Sequence, residues 1–202
     1  MTFVTEKIDR YRRMLRCEVS TVTRRSIEWL FVNAVREAAG LEPKDDTEQD
    51  DLQGPGLMSI AGAALAEAVV AQGAQFGNIQ LYLPEHDTLV MLVSRNFSPH
   101  FTDRFAFLCP DGRTACSRAL ASARRVILEN VANDELFSPH LHAAQAAGFQ
   151  AVQSTPLKVG SGVPLGILST HFASPRSFSE AELAQMDAHA NDLSRELARE
   201  WA

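Results

Sequence analysis

Three cysteines, Cys17, Cys109 and Cys116, are the only thiols in the sequence, and their spacing bounds what they can do. There is no CxxC pair and no histidine at a finger-like distance, so neither a zinc site nor a disulfide framework is expected. A cysteine of this kind is ordinarily a small buried hydrophobe. A glycine-rich phosphate loop, the spacing of a Ser/His/Asp triad and a metal-binding histidine cluster are all missing from the sequence. The remaining chemistry lies in polar residues set inside apolar stretches, Asn78, Gln80, Gln153 and Thr155. A buried amide or hydroxyl must find a partner or incur a cost, so these residues bond either across a sheet or to a ligand, and the sheet is the simpler expectation. Phe97, Phe101, Phe105, Phe107 and Phe137 offer aromatic faces for stacking, although core packing is the commoner use of such residues.

The chain that carries these groups has 202 residues, room for one domain and an appendage. Hydrophobic residues make up 46% and charged residues 22%, ordinary globular usage that allows a core without staples. A net charge of -6 and a pI near 5.5 argue against the basic field that non-specific nucleic-acid binding needs. No run approaches the roughly 20 apolar residues of a membrane span, and the N-terminus does not read as a secretory leader. The expectation is a cytoplasmic protein with no nucleic-acid or membrane partner.

Periodicity divides the chain into an arm, a linker and a domain. Apolar residues from Val4 to Val22 recur at helical steps, and a second set from Ile27 to Ala38 continues to Gly40, predicting a helical arm over residues 1–40. The arm is basic, with eight Lys/Arg against five acids, and its expected role is oligomerisation. Residues 41–56 are acidic and end in Gly54, Pro55 and Gly56, which predicts a linker. From Leu57 to Gln72 an amphipathic helix follows, then two strands, Phe76–Leu83 and Thr88–Arg95, joined by a turn at PEHD. Short irregular segments between Ser98 and Gly148 include a helix after Thr114 and an apolar run, VILENV. Such mixed stretches often wall a pocket. Two further strands, FQAVQSTPLK and PLGILSTHF, flank the glycines of VGSGV. Ser179 and Glu182 form a capping-box spacing at the start of a last helix. In that helix Leu183, Met186, Ala190, Leu193 and Leu197 step by three and four, a seam that suits either a partner helix or the domain's own sheet.

The strand texts FGNIQLY, AGFQAVQSTPL and LGILSTHF, with the TAC turn at Thr114–Cys116, resemble the GAF domains of bacterial signalling proteins. The resemblance runs from Leu57 to about Ala198 and makes residues 57–202 the sensory domain. It implies an α/β (α+β) fold, an antiparallel sheet of five or six strands flanked by helices, here with an N-terminal helical extension. The first and last helices would share one face, and a ligand pocket would occupy the other. It also implies a small-molecule sensor in signal transduction, homodimeric through its terminal helices and passing its signal to a separate output protein. The alternative is a scaffold that has lost its ligand and works by dimerisation or partner binding. Neither the ligand nor any cofactor is identified by the resemblance.

Within that family, Ser138, Pro139, His140 and the nearby His142 resemble the Ser-Pro-x-His segment of phytochrome-type domains. His171, followed by Pro175 and Arg176, is similar to their pocket histidine strand. On those matches Ser154 and His171 would face a ligand, since imidazoles suit the nitrogens and carbonyls of a tetrapyrrole. No cysteine lies beside His140 or His142 for covalent attachment, and the Asp-Ile-Pro segment is missing. The turn bearing Cys116 is similar to a cysteine segment of free methionine sulfoxide reductases, but the cysteine expected near Leu141 is absent, so no enzyme activity is expected. The signature of the nucleotide-binding subset is not evident. The candidate ligand-binding residues are therefore Ser154, His171, Cys116, His140 and Phe137, with no catalytic or metal residue.

Overall fold

The computed structural model of the chain describes residues 6–9, 11, 31–38, 42, 56–84, 87–160 and 164–201. Its centre is a six-stranded antiparallel sheet of order β3-β2-β1-β6-β5-β4. The strands are β1 (Phe76–Leu83), β2 (Thr88–Arg95), β3 (Phe107–Leu108), β4 (Val126–Leu128), β5 (Ala151–Leu157) and β6 (Gly166–Phe172). Both expected hairpins are present, and β6 pairs with β1 as well as with β5. The pairing of β4 with β5 ends at Ser154, two residues short of Pro156, which has no amide hydrogen to donate to a ladder.

Two helices cover one face. Helix α1 (Leu57–Ala71) buries Leu57, Ala61, Leu65, Ala68 and Val69, and Gly73 follows it with φ +61. Helix α5 (Glu180–Trp201) begins with the predicted capping box, in which Glu182 Oε2 accepts from the Ser179 backbone at 2.8 Å and the Glu182 amide donates to Ser179 Oγ at 3.3 Å. Met186, Ala190, Leu193 and Leu197 of the predicted seam are buried in the same core as α1 and the helix-facing residues Ile79, Leu81, Val90, Leu92 and Leu168. The seam is thus spent on the chain's own domain.

The described residues of the arm join that core as well. Residues 6–9, 11 and 31–38 are helical, Ile8, Phe31, Ala34, Val35 and Ala38 are buried, and Lys7 Nζ meets Glu37 at 3.0 Å. The remainder of the predicted arm and nearly all of the acidic linker lie outside the described residues. Some residues of the PEHD and VGSGV turns do too.

Short elements cover the opposite face: α2 (Pro99–Arg104), α3 (Ala115–Ser122), single 3-10 turns at Val131–Asn133 and Ser138–His140, and α4 (Leu141–Ala147). Their starts follow the sequence. Ser98 caps α2, and Thr114 and Ser117 form a reciprocal capping box on α3.

Backbone approach is closest where β6 meets β1. A Cβ on Gly166 would lie 2.1 Å from the Gln80 carbonyl oxygen, whereas one on Gly62, inside α1, would meet nothing within 4 Å. Gly166→Ala must push β6 away from β1 and should lower stability by about 1–3 kcal/mol. Gly62→Ala should raise it by about 0.5–1 kcal/mol, because only the backbone entropy of the helix changes. Urea denaturation of both variants checks the two signs.

Candidate functional site

Strand alternation builds the floor of a cavity on the face away from α1 and α5. Successive residues of a strand point to opposite faces, so Leu168 and Thr170 of β6 turn toward the helices and Ile167, Ser169 and His171 away from them. The register then sets rows across three strands. Asn78, Ser169 and Ser154 form one row, and Phe76, His171 and Val152 form the next. Ser154 Oγ and Ser169 Oγ are 2.8 Å apart, so their hydroxyls bond to each other. Gln80 of β1 and Met91 of β2 extend the floor.

The cover is aromatic. Phe101, Phe105, Phe137 and Phe149 line the cavity together with Thr114, Ala115 and Cys116 at the start of α3. Phe97 stacks on Phe101 at 4.0 Å between centroids and on Phe76 at 5.0 Å. His171 is wedged edge-on between Phe97, at 5.0 Å, and Phe149, at 4.7 Å. The space enclosed is about 420 Å³ including its mouth, of which about 40 Å³ admits the centre of a water molecule. The latter holds about three waters.

The described lining residues include no Asp, Glu, Lys or Arg. Burial lowers the His171 pKa to about 3, so its imidazole is neutral at physiological pH. Its Nδ1 and the Oε1 of Gln80 are buried with no hydrogen-bond partner among the described residues. A group so placed costs on the order of 1–3 kcal/mol unless water or a ligand satisfies it.

Four of the five candidate residues, Ser154, His171, Cys116 and Phe137, therefore line one cavity. His140 stands outside its wall, packed on Phe105 and Phe137 at 5.8 Å each, with both ring nitrogens buried and unpartnered among the described residues. Desolvation lowers its pKa, with Arg104 and Arg113 adding to the shift and Asp111 opposing it. Ser138 and His142 are exposed. Arg176 is occupied elsewhere: Nη1 donates to the Gln72 carbonyl at 2.8 Å, Nη2 meets Glu182, and the guanidinium lies over Phe172 and Phe178. Burial pushes the Cys116 thiol up, and Thr114 Oγ1 lies 3.1 Å from its sulfur. That is the opposite of the low pKa an attacking thiol uses.

Asn78, Gln80, Ser169 and Phe149 also line the cavity, although the sequence does not single them out as site residues. Asn78 and Gln80 do stand out in the sequence as polar residues in an apolar strand, two apart. Ser169 has the same two-residue spacing from His171. Of the five phenylalanines suited to stacking, Phe101, Phe105 and Phe137 line the cavity, Phe97 backs it, and Phe107 packs against the helix-side core.

This arrangement coincides with a family match. Residues 57–198 match the model of the GAF domain family. The chain belongs to that family. Among solved structures, a domain of a putative two-component sensor histidine kinase from Sinorhizobium meliloti is 21% identical with a TM-score of 0.60, over 71% of this chain and 91% of that one. The GAF domain of a phosphoenolpyruvate-protein phosphotransferase from Coxiella burnetii is 14% identical with a TM-score of 0.62, over 89% and 96%. The chromophore-binding domain of an unusual bacteriophytochrome from R. palustris is 17% identical with a TM-score of 0.56, over 79% and 64%. Likeness at these identities establishes the GAF fold. No curated protein matches. GAF domains are commonly sensory or regulatory modules of signalling proteins. Among the described residues no helix of this GAF domain is long and apolar enough to cross a membrane, and no group of His, Cys, Asp and Glu is placed to hold a metal.

The depressed His171 pKa links stability to pH. Below about pH 6.5 the unfolded chain takes up a proton that the folded His171 refuses until about pH 3, so stability falls as pH drops through that window. From about pH 7.5 to 5.5 this histidine alone should remove about 1 kcal/mol, and His140 acts with the same sign. Urea denaturation at both pH values should show the loss, and His171→Gln should lessen it.

Proposed function

We propose that this GAF domain is a regulatory sensor that binds a small molecule between its sheet and its aromatic cover, in a cytoplasmic signalling pathway. The observation that carries the reading is the pair of buried, unpartnered polar atoms, Gln80 Oε1 and His171 Nδ1, on the floor of the cavity. Left dry they lower stability, and a ligand's donor or acceptor would remove that cost. Asn78, Ser154 and Ser169 supply further polar contacts, and Cys116 and Phe137 shape the wall. His140, behind Phe105 and Phe137, takes a supporting role.

The signal would leave through α5. Ser154 faces the cavity, while its neighbours Gln153 and Thr155 face the helix side, where β5 contacts α5. Gln153 Oε1 and Nε2, Thr155 Oγ1 and Thr170 Oγ1 are buried there with no hydrogen-bond partner among the described residues. A displacement of α5 would change the surroundings of these groups and with them the cost of leaving them unpaired. Because Met186, Ala190, Leu193 and Leu197 are already buried, a homodimer would use the outer faces of the terminal helices, and an output protein would meet the same surface. Burial raises the Cys116 pKa, which disfavours the attacking thiolate that thiol redox catalysis requires.

A scaffold without ligand is the second reading, and the small free volume under the phenylalanines is what favours it. Native mass spectrometry with an absorption spectrum, on protein purified from its source organism, separates the two. The sensory reading expects a dimer carrying a bound small-molecule mass. A dimer of bare chains, whose melting temperature no metabolite of a broad library raises, would leave the scaffold.

A further inference from the structure

The cavity joins three features that together restrict the chemistry of its occupant. The first is electrical: the described lining contains no side chain that carries charge at neutral pH. An ion buried there would lose its hydration without gaining a countercharge, which is prohibitive in an apolar setting. The start of α3 lines one wall and offers only the partial positive charge of a helix terminus, enough to favour a carbonyl's electron-rich oxygen. The second feature is shape. Four phenylalanines lie over the sheet at tilted and edge-on angles to one another, and aromatic side chains pair with a ring by offset stacking or edge contact. The third is the hydrogen-bonding floor. Gln80 Oε1 is an acceptor without a donor, and His171 Nδ1 is a neutral ring nitrogen without a partner among the described residues. Between them runs the Asn78–Ser169–Ser154 row, whose hydroxyls can donate or accept.

We propose that the cavity takes an uncharged, planar aromatic or heteroaromatic molecule with a hydrogen-bonding edge. Its ring lies against the phenylalanines and its polar edge rests on Gln80, His171 and the serine row. This rests on reading the cavity as a ligand site. The cavity as it stands has room for about three waters, so a ring system is seated only as the aromatic cover shifts around it.

Indole-3-carboxamide and indole-3-carboxylate test the charge requirement, because they share ring and size and differ in charge. Titration calorimetry of the full chain at about pH 7.5 would compare them, with adenine and benzamide as further uncharged probes. The expected result is that the carboxamide binds at least ten-fold more tightly than the carboxylate. Ser154→Leu, which fills the floor, and Gln80→Leu, which removes the acceptor, should each weaken carboxamide binding at least ten-fold while circular dichroism shows the fold retained. If one variant fails to fold, the other still decides the site. Carboxylate binding as tight as carboxamide binding, and lost in the same variants, would overturn the uncharged class while leaving the sensory reading intact. Carboxamide binding that neither variant weakens would overturn the assignment to this cavity. If no uncharged probe binds below about 1 mM, the ligand class is wrong, and the bound mass from the native protein still judges the sensory reading separately.

Discussion

Everything in this domain depends on β6 lying between β1 and β5. That strand joins segments far apart in the chain, with Phe76 opposite His171 and Ala151 opposite Phe172. The pairing makes one continuous sheet from both hairpins and separates the face covered by α1 and α5 from the face that floors the cavity. Gly166 permits the closest approach, since its missing Cβ is where the Gln80 carbonyl lies. Once β6 is in register, the rows across the floor are fixed by pleat geometry, because a shift of one residue would exchange the faces.

The cavity face buries polar groups of its own. Asn78, Gln80, Ser154, Ser169 and His171 are all buried. Ser154 and Ser169 satisfy each other, but the orphaned atoms of Gln80 and His171 find nothing among the described residues. Burial under the aromatic cover is also why His171 stays neutral far below its ordinary pKa. Natural domains commonly concede stability of this kind at functional sites.

The helix-covered face answers a different requirement. Its apolar side chains come from the described residues of the arm, from α1, from α5 and from the strands, so both ends of the chain share one core. The heptad-like spacing in α5 serves intrachain packing. The same three- and four-residue steps satisfy a neighbouring helix in either the same chain or another, and the outcome here follows from α1 lying alongside.

The fold was legible because its signals are local. Alternating strands, glycine turns, the Ser179–Glu182 box and the Thr114 cap each depend on residues a few positions apart, and they appear where the spacing places them. The site was only partly legible. Ser154, His171, Cys116 and Phe137 share a cavity, while His140 sits one layer out, behind Phe105 and Phe137. Phe107 and Phe101 look alike in the sequence, yet face opposite cores. Strand alternation shows which residues of one strand share a face, but not which face is covered by helices or which strands are neighbours. The sequence by itself determined the elements and the family text from Leu57 onward. Only the tertiary structure decided that Asn78, Ser169 and Ser154 form one row, that the described wall carries no charge and that the α5 seam is occupied, because each is set by pairing between distant segments.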